Sequence, residues 1–181
     1  MTGGARQRST AGERQAQVME AAVIAFAAKG YYGTTTTEVA QVAGISQGYL
    51  YRLYPDKEAL FIATIDHLSQ RLKAHTASVA ARVATTDPAL ILAELGASYQ
   101  DLIADRHLLK LLMHGNCAAG EPAIGEAVRR CYAQQVEHVR SVSGASDEQL
   151  RRYFADGLLA NVVAAVDADT VDAPWARVLR G

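Results

Sequence analysis

The chain has 181 residues, half of them apolar, and its 18 basic and 19 acidic residues give a formal net charge of -1. This apolar share excludes a fully disordered chain, and the balanced charge means that a nucleic-acid interface would depend on the local placement of cations. No stretch reaches the roughly 18 apolar residues of a membrane-spanning helix, and the start does not resemble a secretion signal. We therefore expect a cytoplasmic protein with no membrane association.

The first part of the chain predicts an arm followed by one helix. Residues 1–10 contain Arg6, Arg8 and two glycines without an apolar period, which predicts a flexible basic arm. From about Glu13 onward, apolar side chains recur at the spacing of one helix face. Gly30 is expected to end this helix as a C-terminal cap.

Two short helices joined by a glycine are predicted next. Thr35 and Glu38 have the spacing of a capping box, so a second helix should start directly after Thr35. Gly44 allows a tight end to that helix, and Ser46 can cap a third helix that runs through Leu53. Such a pair is typical of the helix-turn-helix arrangement, whose second helix enters the major groove of DNA.

The remainder of the chain predicts further helices. Pro55 should end the third helix, and Asp56 is placed to cap a long fourth helix that reaches about Val83. Turn signals divide the rest into helices near 88–113, with a break allowed near Asp105, 122–142 and 147–168, and a short helix near Trp175. Because no strand pattern occurs, an all-α fold is predicted.

The third helix carries side chains that are suited to DNA. Gln47 can hydrogen-bond a base edge, and the hydroxyls of Tyr49 and Tyr51 can reach sugar and phosphate. Arg52 and Lys57 supply cations for phosphate. The alternative for the same residues is an ordinary short helix whose tyrosines pack on their neighbours.

Residues 14–61 resemble the TetR (tetracycline-repressor) family of bacterial transcription regulators. The resemblance rests on the order and spacing of several motifs, among them FAAKGY at 26–31, AGIS at 43–46 and DKEAL at 56–60. Leu53 and Thr36 depart from the family pattern, which more often has an aromatic residue or histidine at the first position and an aliphatic residue at the second. Beyond residue 61 the likeness is limited to helical character and to a stretch at 154–163 that is similar to the last dimerisation helix of many members.

The resemblance implies a homodimeric, ligand-responsive regulator, with repression the expected mode and a small molecule releasing it from a palindromic operator in double-stranded DNA. A DNA-binding domain would span 1–57, and a helical regulatory and dimerisation domain would span 58–181. No cofactor is implied. The residues expected to contact DNA are Thr35, Thr36, Thr37, Ser46, Gln47, Gly48, Tyr49, Tyr51, Arg52 and Lys57.

An effector pocket and a dimer interface are expected in the second domain. A pocket in a helical domain is mostly apolar, so the effector should be largely apolar too. The expected pocket residues are Tyr99, Ile103, Met113, His114, Asn116, Cys117, Tyr132 and Gln135. The expected interface residues are Ile124, Val128 and Cys131 on one helix and the small-residue face Gly157, Asn161, Ala164 and Ala168 on the next. The same faces could instead pack within one chain.

Other function classes have less support in the sequence. The spacing of Cys117 and Cys131 matches no compact metal-binding motif, so core cysteines are expected rather than a metal site or a thiol sensor. No acidic pair, Ser-His-Asp arrangement or phosphate-binding glycine loop supports an enzyme. The competing class is a helical interaction protein with a helix-turn-helix head that no longer reads DNA.

Overall fold

The computed structural model describes residues 11–181, and all the regular structure in this range is helical. The helices are α1 (Ala11–Gly33), α2 (Thr36–Ala43), α3 (Gln47–Leu53), α4 (Lys57–Ala80), α5 (Pro88–Ile103), α6 (Arg106–Cys117), α7 (Pro122–Ser143), α8 (Asp147–Ala165) and α9 (Pro174–Arg180), with a 3-10 turn at Ala168–Thr170. The all-α prediction is confirmed. The predicted arm at 1–10 lies outside the described residues.

The predicted caps of the short helices are present. The Thr35 hydroxyl accepts a hydrogen bond from the Glu38 amide at 3.2 Å, and the Glu38 carboxylate accepts one from the Thr35 amide at 2.9 Å. Gly44 has a φ of 66°, the left-handed conformation that ends α2. The Ser46 hydroxyl accepts from the amide of Tyr49 and begins α3. Local side-chain chemistry therefore sets the helix-turn-helix boundaries.

Two of the predicted boundaries are wrong. The segment from His114 was expected to be a loop, but α6 continues through Cys117, because Gly115 is buried against α7 near Val128. The last long helix was expected to reach 168, but α8 ends at Ala165. Ala168 belongs instead to the 3-10 turn and is fully buried within the chain.

The hydrophobic core is continuous from the helix-turn-helix to the helical body. Phe26 of α1 packs edge to face on Phe61 of α4, with ring centroids 4.8 Å apart, and Tyr31 adds a second ring at 5.2 Å. The same cluster includes Leu111 of α6 and Ile124 of α7. A second cluster joins α4, α5, α7 and α8 farther from the head. Within the described part of the chain, no helix is long and apolar enough to cross a membrane.

Gly30 allows α6 to lie close against α1. Its φ of 70° and ψ of -177° interrupt the helix, in a backbone region that is open almost only to glycine. A Cβ at this position would lie 2.8 Å from Nδ1 of His114. The glycine therefore serves both the bend in α1 and the contact between α1 and α6.

We expect Gly30→Ala to lower the free energy of unfolding by about 1–3 kcal/mol, because alanine would be strained in this backbone conformation. The measurement is chemical denaturation followed by circular dichroism. Gly96→Ala is the control, because Gly96 lies inside α5 with no atom within 4 Å of an added Cβ, and there alanine should stabilise by about 0.5–1 kcal/mol. Equal stability of Gly30→Ala and the unmodified protein would contradict this role.

Candidate nucleic-acid interface and ligand cavity

The residues predicted to contact DNA lie at the surface of the head formed by α1, α2 and α3. Val39 and Leu50 are buried between α2 and α3, so the opposite sides of both helices face outward. The exposed residues of the predicted set are Thr35, Thr37, Ser46, Gly48, Tyr51 and Arg52, and the half-buried ones are Thr36, Gln47, Tyr49 and Lys57. The head thus presents one surface made from both helices.

Three polar side chains of this surface form a hydrogen-bonded triangle, which we call the α2–α3 triangle. Nε2 of Gln47 donates to Oγ1 of Thr36 at 3.0 Å and lies 3.4 Å from the hydroxyl of Tyr51. The hydroxyls of Thr36 and Tyr51 are themselves 3.0 Å apart. The triangle links α2 to both ends of α3, a contact that the sequence pattern did not reveal.

The cations of the head differ in the contacts that they make with other groups of the protein. Nζ of Lys57 donates to the carbonyl oxygen of Tyr31 at 3.0 Å and lies 4.4 Å from the centroid of the Tyr31 ring. The guanidinium of Arg52 lies 5.0 Å from the ring centroid of Tyr49 and the side chain remains exposed. Lys57 thereby ties the start of α4 to the end of α1, whereas Arg52 is directed to solvent.

Lys29 and Glu38 form an ion pair beside this surface. The hydrogen bond from Lys29, followed by the one from the Thr35 amide, lowers the pKa of Glu38 to about 2. Because Glu38 stays ionised at neutral pH, it offsets the charge of Lys29. Lys29 therefore contributes little to the positive potential of the head.

A cavity of about 690 Å³ lies among α4, α5, α6, α7 and α8. Its walls are mainly apolar and include Leu68, Leu72, Leu92, Leu95, Leu111, Leu112, Val128 and Val139. Pockets of this size, with few polar groups among apolar walls, are typical of small-molecule sites in proteins. The helical body therefore has room for a small-molecule ligand.

Several polar groups of the cavity walls are hydrogen-bonded to other groups of the chain. The hydroxyl of Tyr99 donates to Oδ1 of Asn161 at 2.9 Å, and burial raises the pKa of Tyr99 to about 12. Nε2 of Gln135 donates to the carbonyl oxygen of Ser69 at 3.0 Å. The hydroxyl of Tyr132 is 3.2 Å from Oδ1 of Asn116.

Charged groups lie mostly at the edge of the cavity. Arg152 and Asp156 of α8 are exposed at its opening. His75 lines the cavity from α4, with Nε2 3.1 Å from the carbonyl oxygen of Ser98. The sequence analysis did not identify these three residues.

The structure brings half of the predicted pocket residues to the cavity. Tyr99, Asn116, Tyr132 and Gln135 line it, whereas Ile103, Met113, His114 and Cys117 do not. Ile103 is buried away from it, His114 packs against Gly30, and Cys117 is exposed. For His114 and Cys117 the reason is the extension of α6, which places them on helix positions that do not line the cavity instead of in the expected loop.

Cys131 lines the cavity from α7, and burial raises the pKa of its thiol above the ordinary value. A raised pKa keeps a thiol protonated and unreactive. Among residues 11–181, no group of three or more His, Cys, Asp or Glu side chains could hold a metal ion.

The predicted dimer residues face the interior of their own chain. Ile124, Asn161 and Ala168 are buried, and Val128, Cys131 and Gly157 line the cavity. The carbonyl of Ala164 accepts a hydrogen bond from Arg106, whose guanidinium covers that turn of α8. The large apolar residues exposed on α8 are Leu158, Leu159, Val162 and Val166, which we call the α8 apolar face. Three of these four residues lie in the stretch 154–163 that resembles a dimerisation helix, although the sequence analysis expected the small-residue face to form the interface.

Residues 18–64 match the family model of the bacterial regulatory proteins of the tetR family. This segment, which includes α2, α3 and the start of α4, is therefore a TetR-family head. The predicted family is thus confirmed for the head, and the matching family model describes regulatory proteins rather than enzymes.

Curated TetR-family relatives match mainly over the head. The transcriptional regulator RutR of Escherichia coli (strain K12) is 36% identical over 64 residues, which are 35% of this chain and 30% of RutR. The regulator BetI of Burkholderia thailandensis is 34% identical over 88 residues, covering 49% of this chain and 45% of BetI. The matched segments thus span between about a third and a half of these relatives.

Solved structures share the fold over nearly the whole chain. A transcriptional regulator of Pseudomonas aeruginosa PAO1 superimposes with a TM-score of 0.72 at 16% identity, covering 96% of this chain and 89% of that one. The regulator FadR of Bacillus subtilis, solved in complex with stearoyl-CoA, also has a TM-score of 0.72, at 15% identity over 92% of this chain and 94% of FadR. The helical body, which has little sequence similarity, therefore has the fold of these regulators.

Proposed function

We propose that the protein is a ligand-responsive, DNA-binding transcriptional regulator, and specifically a repressor that a small molecule releases from a palindromic operator. The observation that carries the proposal is the surface of α2 and α3, where Gln47, Tyr49, Tyr51 and Arg52 are accessible in a head that belongs to the TetR family. We further propose that residues 1–57 bind DNA and residues 58–181 regulate and dimerise.

On DNA, α3 would lie in the major groove with its N-terminal residues toward the bases. Gln47 and Tyr49 are then nearest the base edges, and Tyr51 and Arg52 can reach phosphates. Lys57 uses one of its three N–H groups on the carbonyl of Tyr31, so two remain for a phosphate oxygen. This division assigns sequence preference to Gln47 and overall affinity to the cations.

The α8 apolar face is the surface that we propose for dimerisation. Val162 and Val166 are 43% and 52% exposed, and Trp175 of α9, at 49%, extends the same apolar character. Large apolar side chains clustered on one helix are typical of protein–protein interfaces. In a two-fold dimer, two heads that bind successive major grooves must lie about 34 Å apart, one turn of DNA, and their symmetry requires a palindromic operator.

The cavity is the proposed effector site. Because its walls are mainly apolar and its inner polar groups are paired, we propose a largely apolar effector. The complex of the structurally similar FadR with stearoyl-CoA is in keeping with a ligand that carries a long apolar part. Tyr99, Asn116, Tyr132 and Gln135 are the candidate polar contacts.

Two helices can transmit occupancy of the cavity to the head. α4 lines the cavity with Leu68 and Leu72 and begins at Lys57, beside the DNA surface. α6 lines the cavity with Gly115 and contacts α1 through His114. A ligand shifts DNA affinity only by its differential affinity for two head arrangements, and DNA must weaken that ligand in return.

The experiment that tests DNA binding is selection of bound genomic fragments by the purified protein, followed by titration at two salt concentrations. We expect a palindrome to be enriched. Arg52→Ala should weaken all sequences alike and make the log-salt slope shallower by about 0.9 for each phosphate that the arginine no longer neutralises. The control Arg130→Ala, whose arginine on α7 is paired with Asp66 on α4, should leave the slope unchanged. A folded protein that enriches no sequence would indicate the interaction protein instead.

The dimer proposal predicts that Val162→Glu produces monomers, because a carboxylate in an apolar interface must lose its hydration without a partner. Sedimentation velocity at micromolar concentration measures the change. Leu90→Glu is the matched control, since Leu90 is 54% exposed on α5, outside the α8 apolar face, and it should leave the dimer intact. If Val162→Glu sediments as the unmodified dimer does, the interface lies elsewhere.

A further inference from the structure

The α2–α3 triangle is held by hydrogen bonds along each of its sides. They join Gln47 to Thr36 at 3.0 Å, Gln47 to Tyr51 at 3.4 Å, and Thr36 to Tyr51 at 3.0 Å. Thr36 is one of the positions at which this chain departs from its family pattern, so the triangle depends on a hydroxyl that an aliphatic residue would not supply. The question is which end of the Gln47 amide faces the two hydroxyls.

The orientation of the amide follows from the number of N–H and O–H hydrogens that are available for the three hydrogen bonds. With Nε2 of Gln47 facing inward, the NH₂ group donates to Thr36 and Tyr51, and one hydroxyl hydrogen serves the side between those two residues. One hydroxyl hydrogen then remains for another acceptor. With Oε1 facing inward, only the two hydroxyl hydrogens would be available for three hydrogen bonds, so one side of the triangle would lack a donor. The arrangement with Nε2 inward is therefore the one in which every side of the triangle has a donor.

This orientation leaves the carbonyl oxygen of Gln47 directed away from the triangle. No residue in the described part of the chain donates a hydrogen bond to this oxygen, and Gln47 begins α3, the helix that would enter the groove. In the major groove, adenine and cytosine present an amino group, whereas guanine and thymine present a carbonyl oxygen at the corresponding place. A hydrogen-bond acceptor on the protein therefore favours adenine or cytosine and disfavours guanine or thymine.

The triangle also prevents the usual contact of glutamine with adenine. A glutamine that selects adenine uses both ends of its amide, one on N6 and the other on N7. Here Nε2 is turned toward Thr36 and Tyr51, so Oε1 is the end of the amide that meets the base. A single acceptor does not distinguish the amino group of adenine from that of cytosine.

We propose that Thr36 is a specificity-determining positioning residue that holds the amide of Gln47 with Oε1 toward the bases. One position in each half-site of the operator then accepts adenine or cytosine and rejects guanine and thymine. This inference rests on the proposed DNA-binding function. The remaining hydroxyl hydrogen of the triangle lets Tyr51 donate to a phosphate while Thr36 donates to Tyr51, so base preference and phosphate contact are joined in one network.

The test is selection of operators from a library with randomised half-sites, using the full-length protein and the variants Thr36→Val and Thr36→Ser. For the unmodified protein we expect one position at which adenine and cytosine are bound within about twofold of each other. Both should be preferred over guanine and thymine by at least about fivefold, as one hydrogen bond allows. Thr36→Ser keeps the hydroxyl and should reproduce this preference.

Thr36→Val has nearly the same shape as threonine but cannot accept the amide hydrogen. Only the longer contact with Tyr51, at 3.4 Å, then holds the amide of Gln47. The amide can turn to bind both N6 and N7, so adenine should become preferred over cytosine by at least about fivefold at the same position. An unchanged preference in Thr36→Val, or an adenine-only preference in the unmodified protein, would overturn the role of Thr36 but leave DNA binding intact. Failure of the unmodified protein to enrich any sequence would overturn the proposed function and this inference with it.

Discussion

The edge-to-face contact of Phe26 with Phe61 fixes the head on the body, and the proposed regulation depends on it. Both rings are fully buried, at a centroid distance of 4.8 Å, and the cluster around them continues into α6 and α7 without a break. Because residues of α1, α4 and α6 pack in this one cluster, we infer that a displacement of α4 or α6 is passed to α1. DNA-binding surface and cavity are therefore parts of one packed unit rather than two modules on a linker.

The polar side chains of the two sites differ in how many of their hydrogen-bonding groups are left for a partner. In the cavity, the Tyr99 hydroxyl donates to Asn161 and the amide nitrogen of Gln135 donates to Ser69, so these two donors need no acceptor on a ligand. On the head, the α2–α3 triangle leaves one acceptor and one donor for DNA. Lys57, held on Tyr31, lies at the boundary, since it fixes the first turn of α4 and still has hydrogens to donate.

The head was predictable from sequence because its boundaries depend on local chemistry. Thr35 with Glu38, Gly44 and Ser46 each satisfy a backbone group within a few residues, so their spacing alone predicts α2 and α3. The body was less predictable because both faces of its helices are apolar. On α8, Gly157 and Asn161 line the cavity, whereas Val162 and Val166 are exposed, and periodicity alone does not tell which of these two faces packs within the chain. The hydrogen bonds of Thr36 with Gln47 and Tyr51 join residues 11 and 15 positions apart, which no local pattern reveals.

The central claim is that the DNA-binding surface and the cavity are energetically coupled. Hydrogen–deuterium exchange of the free and operator-bound protein tests it without knowledge of the effector. If the two sites are coupled, operator binding changes amide exchange by at least about fivefold in α6 and in the cavity-lining part of α4, at residues 65–76, as well as in α2 and α3. A change confined to residues 34–57 would show that the head binds DNA independently of the cavity and would contradict the claim.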